Sequence, residues 1–315
     1  MTAVATRCAL LGAMLSLAAG ASVAAEAPSE APTTDTGMPD EKPLLVERME
    51  REREAQRSRS VLIGHKRNYL LPVTYNTRPN NAPFAASDSD VLQGERLDRW
   101  EATFQISLKF TLADNLLTDD DEVVFGFTAK SFWQVYNQDI SAPFRETNYE
   151  PELFWVTPIK WTPLGADASL LAFGLSHESN GRSGDLSRSW NRVYADLVLE
   201  KKRFVFSLKP WWRIPESAKS SPTDPSGDDN PDIEKFMGHF EFRTLYRRKD
   251  NEFGVMLRNN LRSSNKGAVQ LDWTFPLWRS VRGYAQYFNG YGESLIDYNA
   301  KVERFGIGIL LTDLL

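Results

Sequence analysis

The chain has 315 residues, of which 42% are hydrophobic and 25% charged, and its formal net charge at pH 7 is −5. This composition excludes a wholly disordered chain and suits one or two folded domains. The acidic balance gives no support to the binding of a polyanion, so we expect no nucleic-acid partner.

Residues 1–25 have the pattern of a secretory signal peptide. Arg7 precedes an apolar run, and a series of small residues follows that run. The run is too short and wrongly flanked for a membrane-spanning helix, so we expect cleavage after Ala24 or Ala25. The single cysteine, Cys8, would leave with this segment, and the mature chain would then hold no disulfide.

Residues 26–66 form a polar N-terminal extension that we expect to be disordered. Residues 26–42 are rich in Pro, Thr, Asp and Glu and contain no aromatic side chain. Such a composition does not bury enough apolar surface to fold. Residues 44–59 are dense in Glu and Arg, so a short solvated helix is the alternative there. We assign no function to this extension.

From Asn68 onward, hydrophobic and polar residues alternate with a period of two. In one such segment, apolar residues from Trp100 to Phe110 alternate with polar residues from Glu101 to Lys109. Repeated segments of this kind, separated by turn-rich stretches, are typical of a transmembrane β-barrel. We therefore predict that residues 67–315 form an all-β transmembrane antiparallel β-barrel of about 12 strands. The predicted strands are 68–76, 100–112, 122–135, 149–158, 168–179, 188–200, 202–213, 235–248, 251–262, 267–276, 279–291 and 302–314.

A soluble β-sandwich or a lipocalin-like barrel has the same period, but it places the apolar residues inside. Two features favour the membrane. Charged residues occur in the middle of strands, which fits a polar interior. The chain also has 9 Trp, 18 Phe and 10 Tyr, which fits interfacial girdles. The girdle candidates are Trp211, Trp212, Tyr284, Tyr287 and Tyr291. After residue 25 no stretch of 18 apolar residues exists, so the sequence excludes a spanning helix.

His177 and Ser179 lie two residues apart on the apolar side of a predicted strand. Residues i and i+2 of a strand share one face, so a potential base and a potential nucleophile are side by side. In an antiparallel hairpin the numbers of opposed residues have a constant sum. A hairpin centred on Gly184 therefore places Asn191 opposite His177, and opposed Cβ atoms are about 4.5–5.5 Å apart.

These three residues fit the roles of a nucleophilic ester hydrolase. Ser179 would attack an ester carbonyl, His177 would take its proton, and Asn191 would hold the imidazole in one tautomer. A neutral Asn is reasonable because a carboxylate facing hydrocarbon would be costly. Gly181 could expose a backbone N–H as an oxyanion donor. The alternative is that these residues lie at the wet rim of the barrel and have no function.

Two stretches of this hairpin resemble the active site of the outer-membrane phospholipase A family of Gram-negative bacteria. They are residues 177–183, HESNGRS, and residues 187–192, SRSWNR. The resemblance extends to residues 143–151, 228–233 and 290–299 and covers the chain from about residue 98 onward. It implies a twelve-stranded barrel that uses Ca2+ to hydrolyse acyl esters of phospholipids and lysophospholipids, with A1/A2 specificity. It also implies a bacterial outer-membrane location, with the active site toward the outer leaflet.

The resemblance assigns roles to individual residues. His177, Ser179 and Asn191 match the catalytic triad of the family, and Tyr149 matches a residue near the active site. The family is active as a homodimer, which completes a calcium site beside the oxyanion hole. The calcium ligands of that site match the Arg182 carbonyl, the Ser187 hydroxyl and, from the neighbouring subunit, Ser141.

The chain also departs from the family's pattern. A second calcium site of the family uses two aspartates, of which one matches Asp229. The other aligns with Gly184, and Asp185 is one place further along, so the chain has no aspartate at the matching position. A Gln that crosses the family's dimer interface aligns with Ala129. The dimer is therefore expected to be held differently.

Residues 228–232 begin like the loop of an EF-hand. Ile233 and His239 stand where that loop needs Gly and Glu, so we reject an EF-hand. A turn capped by Asp and Asn side chains is one interpretation of the segment, and auxiliary calcium binding is the other. For the whole chain, the competing class is a non-enzymatic porin or lipid-binding barrel.

Overall fold

The computed structural model describes residues 42–56, 62–85, 96–221, 224, 226–279 and 281–312. The predicted signal peptide and residues 26–41 of the extension lie outside the described residues. The strands are β1 Ile63–Gly64, β2 Asn68–Asn76, β3 Trp100–Asp114, β4 Glu122–Trp133, β5 Phe144–Pro158, β6 Ala168–Ser179, β7 Ser189–Lys201, β8 Phe204–Arg213, β9 Phe240–Arg248, β10 Asn251–Asn259, β11 Gly267–Trp278, β12 Val281–Gly290 and β13 Val302–Thr312. The α-helices are α1 Leu44–Gln56, α2 Ala82–Ala85 and α3 Glu234–Met237.

Strands β2–β13 form a closed antiparallel barrel. Each of them pairs with its neighbours along the chain, and β2 also pairs with β13. Closure leaves no exposed strand edge in the wall. The prediction of an all-β barrel of twelve strands is therefore confirmed, with β1 as a two-residue addition that pairs with β3. Strand β9 begins at Phe240 and not at residue 235, because α3 takes up the preceding residues.

The barrel is polar inside and apolar outside. On β3, Glu101, Thr103 and Ser107 are buried, whereas Ile106 and Phe110 are exposed. Buried charges inside the barrel are paired, as in the contact of 3.2 Å between Arg67 and Asp272. This arrangement is the reverse of a soluble β-barrel and overturns that alternative. In the part of the chain that the structure describes, none of the helices has the length and hydrophobicity needed to cross a membrane.

The girdle prediction was wrong for two of its aromatic residues. Trp212 is exposed on the outer face, but Trp211 and Tyr284 are buried. Tyr284 donates a hydrogen bond of 2.6 Å to Asp272 in the barrel interior. Because neighbouring residues of a strand point to opposite faces, Trp211 and Trp212 cannot both face lipid.

The two ends of the barrel differ. Short turns join β7 to β8 and β9 to β10 at one end, which we call the turn end. The opposite end, which we call the loop end, carries the longer connections. These include the β4–β5 loop of residues 134–143, the β6–β7 loop of residues 180–188, the β8–β9 loop of residues 214–239 and the β12–β13 loop of residues 291–301.

Residues 44–56 form the helix α1 at the turn end, which agrees with the helix alternative and not with the expected disorder. The backbone N–H groups of Leu44 and Leu45 donate to the Glu200 carboxylate at 2.5 and 2.7 Å. Glu52 pairs with Lys109 of the barrel at 2.8 Å. Burial raises the pKa of Glu52, but the charges of Lys109 and Arg48 outweigh it and hold that pKa below its usual value. These partners lie far away along the chain, so local composition does not reveal them.

Candidate active site

His177 and Asn191 lie opposite each other in the β6–β7 hairpin, as the hairpin symmetry predicted. His177 is exposed on the outer wall, next to the exposed side chains of Leu175 and Val193. Its Nδ1 atom is 2.8 Å from Asn191 Oδ1. A carbonyl oxygen only accepts hydrogen bonds, so Nδ1 is the donor in this pair. Nε2 of the neutral imidazole is then left with a free lone pair. The imidazole is thereby ready to accept a proton at Nε2.

Ser179 lies two residues beyond His177 on the same face of β6. It is half-buried, and it stands opposite Ser189 on β7 and Tyr149 on β5. Tyr149 is 40% exposed. The hairpin thus brings a hydroxyl, an imidazole and an amide together on an apolar wall.

The β6–β7 loop is fixed by Asn180, which is buried. Asn180 Oδ1 accepts hydrogen bonds from the backbone N–H groups of Arg182 at 3.3 Å and Arg188 at 3.0 Å. Its Nδ2 donates to the carbonyl of Leu186 at 2.8 Å. Gly181 has a φ of 65°, and a Cβ there would stand 3.3 Å from the ring of Tyr149. Glycine meets both requirements, and its backbone N–H lies two residues beyond Ser179 in the chain.

The same loop carries two predicted calcium ligands, the Arg182 carbonyl and the Ser187 hydroxyl. Ser187 Oγ donates to Asp229 Oδ2 at 2.8 Å, so the structure brings Ser187 next to the aspartate predicted for the second calcium site. Oxygen donors of this kind suit Ca2+. Within the described residues no group of three or more His, Cys, Asp and Glu side chains is placed to hold a metal. Carbonyls, hydroxyls and water would therefore have to supply most of the coordination.

Ser141 is separate from these residues in the chain. It lies exposed on the β4–β5 loop, with a left-handed φ of 61°. The family resemblance assigns it to the site of a neighbouring subunit, for which an exposed loop position is suitable.

Asp229 has other partners besides Ser187. Ser189 Oγ donates to the same carboxylate at 3.1 Å, and Lys219 forms an ion pair with it. Lys219 belongs to the β8–β9 loop, and sequence reasoning missed it. The chain thus supplies its own cation to the carboxylate predicted for a second calcium site.

The EF-hand-like segment is held by internal contacts. Asp228 pairs with Arg213, and Asn230 Oδ1 accepts the backbone N–H of Ser189 at 3.1 Å. Asp232 accepts a hydrogen bond of 2.7 Å from Tyr298, and burial together with this hydrogen bond raises the pKa of Tyr298. These contacts agree with the interpretation of the segment as a capped turn.

Glu216 is a further residue that sequence reasoning missed. Its Oε1 atom accepts a hydrogen bond of 3.1 Å from Asn191 Nδ2. Glu216 is 25 residues beyond Asn191, on a loop without hydrophobic periodicity. No sequence signal could have indicated which acidic residue reaches the hairpin.

Comparison with known proteins identifies the relatives of this chain. Residues 45–311 match the family model described as phospholipase A1. A putative phospholipase A1 of Neisseria meningitidis serogroup B is 38% identical over 258 residues, which cover 79% of this chain and 65% of that protein. This chain therefore spans slightly less than two thirds of the length of that relative.

Two solved structures are similar in fold and sequence. The outer membrane phospholipase A from Escherichia coli has 35% identity and a TM-score of 0.73, over 81% of this chain and 100% of that chain. The outer membrane phospholipase dimer of Salmonella typhi with bound calcium has 34% identity and a TM-score of 0.73. That match covers 82% of this chain and 94% of that chain.

The fold and the hairpin site define a class, the outer-membrane β-barrel hydrolases. The match to the family model extends over most of the chain, and the relatives are similar over most of it as well. The chain belongs to the phospholipase A1 family of ester hydrolases. Its location is the bacterial outer membrane. Membership of this family favours the enzyme over the porin or lipid-binding alternative.

Proposed function

We propose that the chain is a calcium-dependent phospholipase A that hydrolyses acyl esters of phospholipids and lysophospholipids, with A1/A2 specificity. The hydrogen bond of 2.8 Å between His177 and Asn191 carries this proposal, since it lies beside Ser179 on the apolar outer wall. A phospholipid in the surrounding membrane could reach these groups laterally, without leaving the bilayer.

The proposed reaction proceeds through an acyl-enzyme. Ser179 Oγ attacks the ester carbonyl while His177 Nε2 takes the hydroxyl proton. Asn191 holds the imidazole in the required tautomer and stabilises its charged form. The same proton then goes to the leaving alkoxide, and the lysophospholipid departs. Water, deprotonated by His177, next attacks the acyl carbonyl, and the fatty acid leaves as Ser179 regains its proton.

Two groups would stabilise the oxyanion that develops in both steps. The first is the backbone N–H of Gly181, next to the nucleophile. The second is Ca2+, held by the Arg182 carbonyl, the Ser187 hydroxyl and Ser141 of the partner subunit. When bound, the ion supplies positive charge beside the developing oxyanion. Asp229 remains the candidate residue of a second calcium site. Lys219 would have to release the Asp229 carboxylate before an ion could bind there.

We further propose that the active form is a homodimer, with the loop end facing outward. The relative from Salmonella typhi is a dimer with bound calcium, which supports both calcium and dimerisation. In outer-membrane barrels the short turns face the periplasm. The active site, near the loop end, would then meet lipids of the outer leaflet.

Covalent labelling tests the nucleophile directly. We expect a long-chain alkyl fluorophosphonate to form one adduct per chain, on Ser179, when the refolded protein is treated in detergent micelles with calcium. The reason is that only an activated hydroxyl displaces fluoride from phosphorus. Peptide mass spectrometry locates the adduct. Ser169→Ala, on the same strand, should be labelled normally, and an adduct on Ser189 would contradict the proposed triad.

Removal of calcium tests the metal separately. We expect a chelator to lower fatty-acid release from mixed micelles by about 100-fold, the typical loss when one oxyanion donor is removed. Added Ca2+ should restore the rate. Mg2+ should not, because it demands a near-ideal octahedral shell and gives up water reluctantly. Release that survives the chelator would remove calcium from the mechanism and leave the triad in place.

A further inference from the structure

We propose that Glu216 is a positioning residue that fixes the amide of Asn191 in the orientation that the reaction requires. The proposal rests on the triad proposed above and extends it to a fourth residue. Glu216 would touch neither the substrate nor the reacting atoms. It would act through Asn191, by the hydrogen bond of 3.1 Å from Asn191 Nδ2 to Glu216 Oε1.

The amide of an Asn has two different ends, and only one of them serves the mechanism. With Oδ1 toward His177, the imidazole carries its proton on Nδ1 and can accept another on Nε2. A flipped amide would present N–H groups to Nδ1 and force the proton onto Nε2. Nε2 could then accept nothing from Ser179. The catalytic tautomer therefore depends on what selects the orientation of Asn191.

Glu216 supplies this selection, because an ionised carboxylate only accepts hydrogen bonds. It favours Nδ2 on its own side and leaves Oδ1 for His177. A flipped amide would place a carbonyl oxygen against a carboxylate oxygen, which is repulsive. The hydrogen bonds also form a chain from Glu216 through Asn191 to His177, and such chains polarise their members cooperatively.

The β8–β9 loop that carries Glu216 is attached to the same hairpin at a second point. Lys219 pairs with Asp229, whose carboxylate accepts from Ser187 and Ser189. Within the loop, hydrogen bonds from Ser220 and Ser226 lower the pKa of Asp224. Glu216 itself is half-buried, not free in solvent.

This arrangement also explains how a neutral Asn can do the work of an acid on a lipid-facing wall. A carboxylate next to His177 would have to face hydrocarbon, which is costly. Glu216 places the negative charge one residue further away, on a loop at the loop end. The wall keeps a neutral amide, and the carboxylate still acts on the imidazole through it.

The test is a double-mutant cycle between positions 216 and 191. We expect Glu216→Ala to lower kcat for fatty-acid release about tenfold with KM unchanged, because part of the population then holds the wrong amide orientation. In an Asn191→Asp background the same substitution should have no effect or raise kcat. The two oxygens of a carboxylate are equivalent, so no orientation remains to be selected. Glu216→Gln keeps an acceptor and should retain more activity than Glu216→Ala.

Phosphonylation of Ser179 provides a second readout. It is a single-turnover reaction, so its rate can be measured on variants that release fatty acid very slowly. We expect the labelling rate to fall in Glu216→Ala and not to fall when the same substitution is made in the Asn191→Asp background. Glu234→Ala is the matched control, because Glu234 lies on the same loop and pairs with exposed His239. This control should leave both rates unchanged. A heat-dependent shift in gel mobility verifies that each variant is a folded barrel.

Two outcomes would overturn the positioning role. One is an unchanged kcat and labelling rate for Glu216→Ala. The other is an equal loss in the parent background and in the Asn191→Asp background, which would show that Glu216 only supports the loop. Failure of the proposed triad is distinguishable, because it would appear as release by Ser179→Ala whatever occupies position 216.

Discussion

Replacement of Ser179 by alanine is expected to lower fatty-acid release from mixed phospholipid micelles by about 10⁴-fold or more. The size of the loss follows from the acyl-enzyme, which cannot form without the hydroxyl, and it is typical of triad nucleophiles. Calcium and Gly181 would remain able to stabilise an oxyanion, so the variant should keep a small rate above the uncatalysed one. Release is measured by titration of the liberated acid, with calcium in excess.

Ser169→Ala is the control for this prediction, since Ser169 lies on the same strand near the opposite end of the barrel. It should retain the parent rate. Release by Ser179→Ala at a tenth of the parent rate would contradict the proposed nucleophile. A barrel that is folded and dimeric, releases no fatty acid and conducts ions would instead support a non-enzymatic porin.

The location of the site on the outer wall explains why its polar groups are so few and so well paired. An unpaired polar group that faces lipid is expensive. Asn191 therefore uses its oxygen on His177 and its nitrogen on Glu216. The exposed imidazole lies among apolar side chains such as Leu175 and Val193. An acyl chain of the substrate can contact these side chains and so stays in apolar surroundings.

The sequence predicted those features that depend on period and on symmetry. Alternation identified the strands, and the hairpin symmetry about Gly184 placed Asn191 opposite His177, which the structure confirms. Both inferences are local, because a two-residue period fixes the face and the centre of the hairpin at Gly184 fixes the register.

Features that depend on irregular segments or distant partners could not be predicted. Glu216 and Lys219 belong to a loop without periodicity, so nothing in the sequence specifies which hairpin atoms they reach. Helix α1 resembles a solvated segment in composition, yet Glu200 from β7 accepts its first N–H groups. Trp211 was misassigned because aromatic content was considered without the parity of its strand.

Glu101 provides the second prediction with a large effect, which concerns stability. Its buried carboxylate contacts the guanidinium groups of Arg145, at 3.1 Å, and of Arg304. Glu101→Ala would leave two buried arginines with one partner fewer, although Asp297 and Glu293 would still contact them. Removal of one member of a buried ion pair costs about 3–5 kcal/mol. We expect the free energy of unfolding to fall by that amount, measured by urea titration in lipid vesicles.

Glu50→Ala is the matched control, because Glu50 pairs with Lys42 where both side chains are more than half exposed. An exposed pair contributes about 0–1 kcal/mol, so this variant should unfold like the parent. An exposed ion pair contributes no more than about 1 kcal/mol. If Glu101→Ala lowers the free energy of unfolding by less than that, the interior is hydrated enough to solvate both arginines. The cluster also supports the active site, since Arg182 of the β6–β7 loop donates to the carbonyl of Arg145 at 2.5 Å. Because Asp297 still pairs with Arg145 in Glu101→Ala, activity should fall as the barrel unfolds, and not before.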